Sequence, residues 1–481
     1  MAITITLRRD VPYPTGIFVS GNGERGAAYR QSIAGKTVSV VGLAKSGVAA
    51  ARLIRRLGGR VLASDSSPLE ALPVDARGLE QLGCALWTGG HPDAAFEGAE
   101  LVVVSPGVPL ELPALVAMRA RGVPIIGELE LAWRVMEADV IAITGTNGKT
   151  TTTALTGELL RTQVRPVMVG GNIGTPLAEH ALEFPGDGIV VAEVSSFQLD
   201  AVDRFRPRVA VVLNVTPDHL DRHGTFERYV DAKARIFANQ TATDCAVLNA
   251  DDPVAAGLAG RARGRVIWFS RRSTLPHGVF IYDGWIVAKL NGSTERICPV
   301  TAITLRGQHN VENILAATAC ARWTGMAPAA IRRGIAAFRG VAHRIERVHD
   351  DRGVVYYNDS KGTNVDSTIK ALESFTEPIV LIAGGKGKGQ DFGPLAEAAR
   401  GRVRQVILVG QDRDQIRAAF EATGMSAQDA DSLEDAVRRA REAARVGDVV
   451  LLSPACASFD MFRNFEHRGD VFKAVVRALL G

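Results

Sequence analysis

Cysteine is scarce in this chain and badly spaced for metal or disulfide chemistry. Cys84, Cys245, Cys298, Cys320 and Cys456 are scattered, odd in number and form no C-x-x-C pair, which suits reduced thiols. Long apolar runs are absent too. The longest, such as Val209–Leu213 and Val449–Leu452, are strand-sized, far short of the roughly 18 residues that span a bilayer. Charge of one sign is also missing. Lysine and arginine total 56 against 52 acids, a net charge of +4, too balanced for an electrostatic nucleic-acid binder. The opening MAITITLRRDVPYPTG has no long apolar core and carries its arginines after the apolar stretch, unlike a secretory signal. A soluble cytoplasmic protein is expected, with no nucleic-acid or membrane partner. No association helix or exposed apolar stripe stands out, so a monomer is expected.

What is present is an ordinary globular composition, 46% hydrophobic and 22% charged over 481 residues, which suggests about three domains. Residues 1–34 are rich in Pro and Gly with little periodicity and read as a flexible extension. At Lys36 the pattern changes. KTVSVVGLAKSGVAAARLIRRLGGRVLASD (36–65) reads as buried strand, glycine turn, amphipathic helix, second strand and an acid. LVVVSPG (101–107) and VPIIGE (123–128) continue a small parallel unit over residues 35–126.

A larger unit, 127–340, opens with VIAITGTNGKTTT (140–152) and repeats strand patterns at GIVVAEV (188–194) and RVAVVLNV (208–215). GRVIWFS (264–270) and VFIYDGWIVAKL (279–290) look like hairpin material, and GQHNVENILAATACARW (307–323) like a helix. A third unit, 341–481, has strands at PIVLIAGG (378–385), RQVILVG (404–410) and DVVLLSP (448–454). Three alternating strand–helix units imply an α/β fold of mostly parallel sheets, with ligands at the C-terminal ends of the strands.

The strongest chemical signal is Gly145-Thr146-Asn147-Gly148-Lys149-Thr150-Thr151, after a strand and before a helix. Phosphate needs close backbone N–H groups at a helix N-terminus, which glycines permit. Lys149 would add a point charge for the β/γ-phosphates and Thr150 a hydroxyl ligand for Mg²⁺. Ile143 stands where the usual motif has its first glycine, and a surface turn that happens to contain Gly-Lys-Thr is the competing reading. The Gly42-x-x-x-x-Gly47 turn with Asp65 downstream is weaker. It is not G-x-G-x-x-G, although Lys45 and Ser46 could face a diphosphate and Asp65 a ribose or base.

Glu193 ends one strand pattern, and Asp218 and His219 follow another. In a parallel sheet these ends converge beside the phosphate loop, where an acid would hold Mg²⁺. In the third unit His343-Arg344, the loop from Asn358 to Asn364, the run from Gly384 to Gly389 and the run from Ser453 to Phe459 are polar and non-periodic. Cations there suit an anionic ligand.

GTNGKTT, GGNIGTP, AEVSSFQL, NVTPDHLDRH, GQHNVEN, HRIE, NDSKGTN and SPACASFDMF, in this order over about residues 36–475, resemble the Mur ligase family. The resemblance implies a three-domain architecture with Rossmann-like first and last domains around a central P-loop ATPase-like domain. It implies an ATP-dependent carboxylate–amine ligase whose substrates are UDP-N-acetylmuramoyl-L-alanine and D-glutamate, working through an acyl phosphate and a tetrahedral intermediate.

Carried over position by position, the resemblance puts Lys45, Ser46, Asp65, Ser105 and Gly107 on the UDP part, with Asn172 and His219 beside the sugar–peptide part. Gly145 through Thr151 would cradle the ATP phosphates, Asn310 and Asn313 the adenine, and Arg344, Asp359 and Lys361 would close over ATP. Thr363, Lys388, Ser458, Phe459 and Phe465 would form the D-glutamate pocket. Lys149, Glu193, His219 and Lys233 would be catalytic. Two Mg²⁺ sites are implied, drawn from Thr150, Glu193, His219 and Lys233, the last as a CO₂-derived carbamate. ATP and D-glutamate contacts on different domains imply closure about a hinge near Arg339-Gly340. The 34 residues before the first strand depart from the family, which normally begins almost at once. Three rivals remain: a related Mur or folylpolyglutamate ligase with another acceptor, a regulatory P-loop ATPase, and a nicotinamide-binding protein.

Overall fold

The computed structural model describes residues 23–163, 165–387 and 389–480, so Lys388 and residues 1–22 lie outside the described residues. Its contacts divide the chain into two compact units, 1–303 with 312–337, and 304–311 with 338–481.

The first unit holds two sheets. The smaller contains β1 (Thr37–Val41), β2 (Arg60–Ser64), β3 (Ala85–Trp87), β4 (Leu101–Val104) and β5 (Ile125–Gly127), in the order β3-β2-β1-β4-β5. Every pairing is parallel. The order reverses at β1, so the loop after β1 opens at a switch point where such sheets bind ligands. Gly47 makes this turn possible. A Cβ there would lie 1.8 Å from the Gly42 carbonyl oxygen, so only glycine lets the following helix, Lys45–Arg56, approach so closely.

The larger sheet contains β6 (Asp139–Thr144), β7 (Val167–Gly171), β8 (Ile189–Glu193), β9 (Val209–Val212) and β10 (Cys245–Asn249), then β11 (Arg265–Ser270), β12 (Gly278–Tyr282), β13 (Trp285–Leu290) and β14 (Ser293–Pro299). Their order is β14-β13-β12-β11-β10-β9-β6-β8-β7. The chain leaves β6 toward β7 and β8 on one side and returns to β9 on the other. The loop after β6 therefore sits at the switch point of this sheet. Strands β6 and β10 are entirely buried, which explains their near-continuous apolar sequence.

The hairpin expected from 264–290 is corrected in part. β11 pairs parallel with both β10 and β12; the hairpins are β12–β13 and β13–β14. Asp283-Gly284 and Asn291-Gly292 all have positive φ, as a two-residue turn between twisted strands requires. Apolar alternation marks a strand but not its direction.

The flexible reading of 1–34 also meets a difference. Gly23–Ile33 is a helix. Ile33 is buried in the first unit's core with Tyr29 packed on it, and Arg30 Nε donates to the Val135 carbonyl at 3.1 Å. Its stability comes from these distant partners, not from a pattern visible in its own sequence.

The second unit has one sheet: β15 (Glu346–Asp351), β16 (Val354–Asn358), β17 (Ile379–Ala383), β18 (Val403–Leu408), β19 (Ala427–Asp429) and β20 (Val449–Leu452), ordered β15-β16-β20-β17-β18-β19. Only β15 is antiparallel. The last strand inserts between β16 and β17, so the loops after these three strands leave the sheet side by side.

Candidate active site

The loop after β6 is built by its glycines. Gly145 and Gly148 have φ of 152° and 85°, and a Cβ on Gly148 would meet Asn313 Oδ1 at 2.2 Å. Asn214 fixes the loop from beneath: its Oδ1 accepts the Asn147 N–H at 2.9 Å and its Nδ2 donates to the Asn147 carbonyl at 3.1 Å. The helix Lys149–Leu160 starts here without a side-chain cap. The N-terminal turn and dipole of such a helix suit an anion. Thr150 and Thr151 are both buried in its first turn.

Two lysines converge on one carbonyl. Lys149 Nζ donates to Gly145 O at 2.9 Å and to Thr146 O at 2.7 Å, and Lys233 Nζ donates to the same Gly145 O at 2.8 Å. Lys233 is only 1% exposed. Burial first, and then the nearby Lys149 charge, push its amine well below the ordinary lysine range against the opposing pull of Asp218 and Glu193. Two ammonium groups on one acceptor in a buried place is the costly arrangement, and loss of one proton relieves it.

Glu193 closes the other side. It pairs with Ile143 in register between β8 and β6 and is 1% exposed. Its Oε1 accepts from Asn172 Nδ2 at 2.9 Å, while Oε2 is buried without a hydrogen-bond partner among the described residues. His219 has φ of 53°, its Nε2 lies 3.6 Å from Asp218 Oδ2, and its ring meets Phe197 edge-on at 4.9 Å. Thus Lys149, Thr150, Asn172, Glu193, Asp218, His219 and Lys233 surround the ends of β6, β8 and β9.

Sequence reasoning missed the supports of this cluster. Tyr229 OH lies 3.2 Å from Thr146 Oγ1, and its ring sits 4.5 Å from Lys233 Nζ. Burial raises the tyrosine pKa, so the phenol stays protonated. Buried His223 lies with Nε2 3.0 Å from Ser196 Oγ and stacks on Phe197. The segment NVTPDHLDRH contained His223, but nothing local marked it as pointing inward.

At the smaller sheet, Lys45 is exposed and Ser46 half-buried at the head of their helix. Asp65 spends both carboxylate oxygens on the protein: Oδ2 accepts the Leu43 N–H and Oδ1 the Ser67 N–H, each at 2.7 Å. These bonds shape the loop after β1, beside the place where the sequence expected Asp65 to meet a ribose or base. Ser105 Oγ donates to Gly42 O at 2.7 Å, tying the exposed Gly107 turn to the loop after β1. Asn313, expected at adenine, is buried with its Oδ1 accepting from Thr152 Oγ1 at 3.2 Å.

In the second unit Asn310 is buried and donates to Arg306 O at 2.7 Å. The fully buried Asp359 accepts Ser453 Oγ–H at 2.8 Å and Ile345 N–H at 3.2 Å. Burial outweighs the nearby Arg344 charge and raises Asp359 to about 6. Lys361 Nζ sits 5.0 Å over the Phe465 ring. Thr363 is half-buried in the same loop, Ser458 is 2% exposed and Phe459 is 71% exposed after β20. Arg468, unmarked by sequence, joins the loops after β16 and β20: Nε donates to Ser360 Oγ at 2.9 Å, and Nη2 donates to Ser360 O at 2.8 Å and to Cys456 O at 3.1 Å.

Three family models match along the chain: a Mur ligase MurD-like N-terminal domain at 36–127, a Mur ligase middle domain at 143–321, and a Mur ligase glutamate ligase domain at 343–456. The UDP-N-acetylmuramoylalanine–D-glutamate ligase of Pelotomaculum thermopropionicum is 48% identical over 445 residues, covering 92% of this chain and 98% of its own. The enzyme of that name from Acidobacterium capsulatum is 50% identical over 450 residues, 93% of this chain and 97% of its own. Among solved structures, the UDP-N-acetylmuramate–alanine ligase of Thermotoga maritima aligns with a TM-score of 0.59 at 22% identity, covering 92% of this chain and 99% of that one. The MurF ligase of the same organism, in complex with ADP, aligns at 0.56 and 19%, covering 80% and 91%. These two likenesses concern the fold.

Proposed function

The chain belongs to the Mur ligase family, and from that premise we propose that it joins D-glutamate to UDP-N-acetylmuramoyl-L-alanine at the expense of ATP. The acceptor and donor are those in the names of relatives 48% and 50% identical along nearly their whole length. The observation that carries the chemistry is the loop after β6, where two lysine amines share the Gly145 carbonyl, while the neighbouring strand β8 ends in Glu193, whose buried Oε2 has no hydrogen-bond partner among the described residues.

A carboxylate is a poor electrophile, so its oxygen first attacks the γ-phosphorus of ATP and ADP leaves, giving an acyl phosphate. The D-glutamate amine then attacks the acyl carbon, and the tetrahedral intermediate collapses with loss of phosphate. Residues 35–126 take the UDP part through Lys45, Ser46, the Asp65-shaped loop, Ser105 and Gly107. Residues 127–340 hold ATP on the loop from Gly145 to Thr151, and Lys149 neutralises phosphate charge as it is transferred. Residues 341–481 supply Thr363, Lys388, Ser458, Phe459 and Phe465 to D-glutamate.

The residues fit divalent cations bound with the nucleotide. Among the described residues no cluster of three or more His, Cys, Asp or Glu could hold a metal by itself. Mg²⁺ commonly uses one or two protein oxygens and takes the rest from phosphate and water. Such an ion would neutralise phosphate charge. Thr150 and Glu193 Oε2 fit one site, and His219 with Lys233 a second. Lys233 can serve there only after modification. Its neutral amine can attack CO₂, forming a C–N bond and releasing a proton to solvent, which turns the amine into an anionic oxygen donor.

The test is phosphate release with ATP, Mg²⁺ and UDP-N-acetylmuramoyl-L-alanine across D-glutamate, L-glutamate and diaminopimelate. Release only with D-glutamate, and a product heavier by one glutamyl residue, is expected. Preference for another acceptor would reassign the enzyme within its family. Release indifferent to acceptor would indicate a regulatory ATPase.

A further inference from the structure

The turn after β4 and the segment after β9 belong to different sheets, and one side chain joins them. Arg222 Nη1 donates to Gly107 O at 2.8 Å; Nη2 donates to Val108 O at 2.6 Å and reaches Pro106 O at 3.4 Å. The other face of the guanidinium lies 5.2 Å from the centroid of Phe197. That ring in turn meets His219 edge-on at 4.9 Å and stacks on His223 at 5.4 Å. Arg222 belongs to the short helix Leu220–His223, whose first neighbour is His219 itself.

The turn is also held at its start, and Val108 packs on the hydrophobic cluster that includes Val41 and Val104. Ser105 Oγ donates to Gly42 O, and Val108 N–H donates back to Ser105 O at 3.0 Å. The carbonyls of the next three residues point to the guanidinium. A planar fork can serve several carbonyls at once, which a lysine ammonium on the same stem cannot do in the same geometry.

Resting on the function proposed above, we infer that Arg222 is a positioning residue that sets the Ser105–Val108 turn against the Phe197–His219 segment, so that the two ends of the UDP-linked substrate bind in register. A donor held at both ends is sensitive to this spacing, because a displacement of about 1 Å can cost on the order of 100-fold in rate. The residues proposed above for the ATP phosphates and for D-glutamate do not include the Ser105–Val108 turn, so the UDP-linked donor is the substrate most exposed to this spacing.

Steady-state kinetics of Arg222→Met and Arg222→Lys test this, with UDP alone as a competitive probe. The expected result for Arg222→Met is a KM for the UDP-linked donor raised about 10-fold or more, with UDP inhibition weakened in parallel. Arg222→Lys should fall between it and the wild type, and the KM for ATP should rise much less than the donor KM. An unchanged donor KM in both variants overturns the inference. So does an equal rise in the KM for ATP, which would reduce Arg222 to general support of the fold, or a fall in kcat with donor KM unmoved, which would confine it to the His219 side. If the wild type itself releases no phosphate in response to D-glutamate, the proposed function fails instead, whatever the variants do.

Discussion

Replacing Glu128 by glutamine should make the first unit more stable at alkaline pH. Glu128 follows β5 and is 1% exposed. Its Oε1 accepts the Ala178 N–H at 2.7 Å, and Oε2 has no hydrogen-bond partner among the described residues. Two residues on, Glu130 is equally buried but accepts three backbone N–H groups, from Asp203, Arg204 and Phe205, and pairs with Arg134. Glu128 has no such set of donors, and burial, opposed only in part by the Ala178 and Leu177 N–H groups, lifts it from 4.5 to about 7. The folded chain thus keeps this proton to higher pH than the unfolded chain does. Stability present below pH 4.5 is lost progressively up to about pH 7. The full loss is about 3 kcal/mol, since one pKa unit is worth about 1.4 kcal/mol.

Glutamine keeps the acceptor for Ala178 and carries no charge, so the variant lacks this pH-dependent loss. The gap in unfolding free energy between Glu128→Gln and wild type should widen in favour of the variant by about 2–3 kcal/mol between pH 5 and pH 8. Denaturant unfolding followed by tryptophan fluorescence measures it, because Trp87, Trp133, Trp268, Trp285 and Trp323 all lie in the unit that contains Glu128. A gap constant with pH, or one that closes toward pH 8, refutes the reasoning.

The Gly148→Ala variant places a Cβ at φ 85° and 2.2 Å from Asn313 Oδ1; it should cost about 1–3 kcal/mol of stability and raise the KM for ATP in coupled turnover assays. Phe459→Ala removes a ring that is 71% exposed, so unfolding free energy should stay within about 0.5 kcal/mol while the KM for D-glutamate rises. Lys233→Ala should lose most activity and regain part of it with formate, and wild-type turnover should fall in CO₂-depleted buffer and recover with bicarbonate. Unchanged turnover in the alanine variant would remove Lys233 from the mechanism.

What the sequence made legible is what a few adjacent residues can encode. A strand, two glycines, a lysine and two threonines mark the loop expected to hold phosphate because closeness of approach and helix polarity are local properties. The residue types at the other strand ends, Glu193, His219 and the loop Asn358–Asn364, could be placed because parallel sheets put such ends on one side. The interactions that hold these parts together were not legible, and their chain separations say why. Lys233 reaches Gly145 across 88 residues, Arg468 reaches Ser360 across 108, and Arg222 reaches Gly107 across 115. Each is a basic residue on a helix, indistinguishable in sequence from the solvated lysines and arginines around it. Glu128 and Glu130 make the same point within one helical turn: two like carboxylates, one met by three backbone donors and a guanidinium, the other with one oxygen that has no hydrogen-bond partner among the described residues. Strand order decides which donors arrive, so the chemistry of these charges is a property of topology, and it becomes readable only where the sheet brings a partner to them.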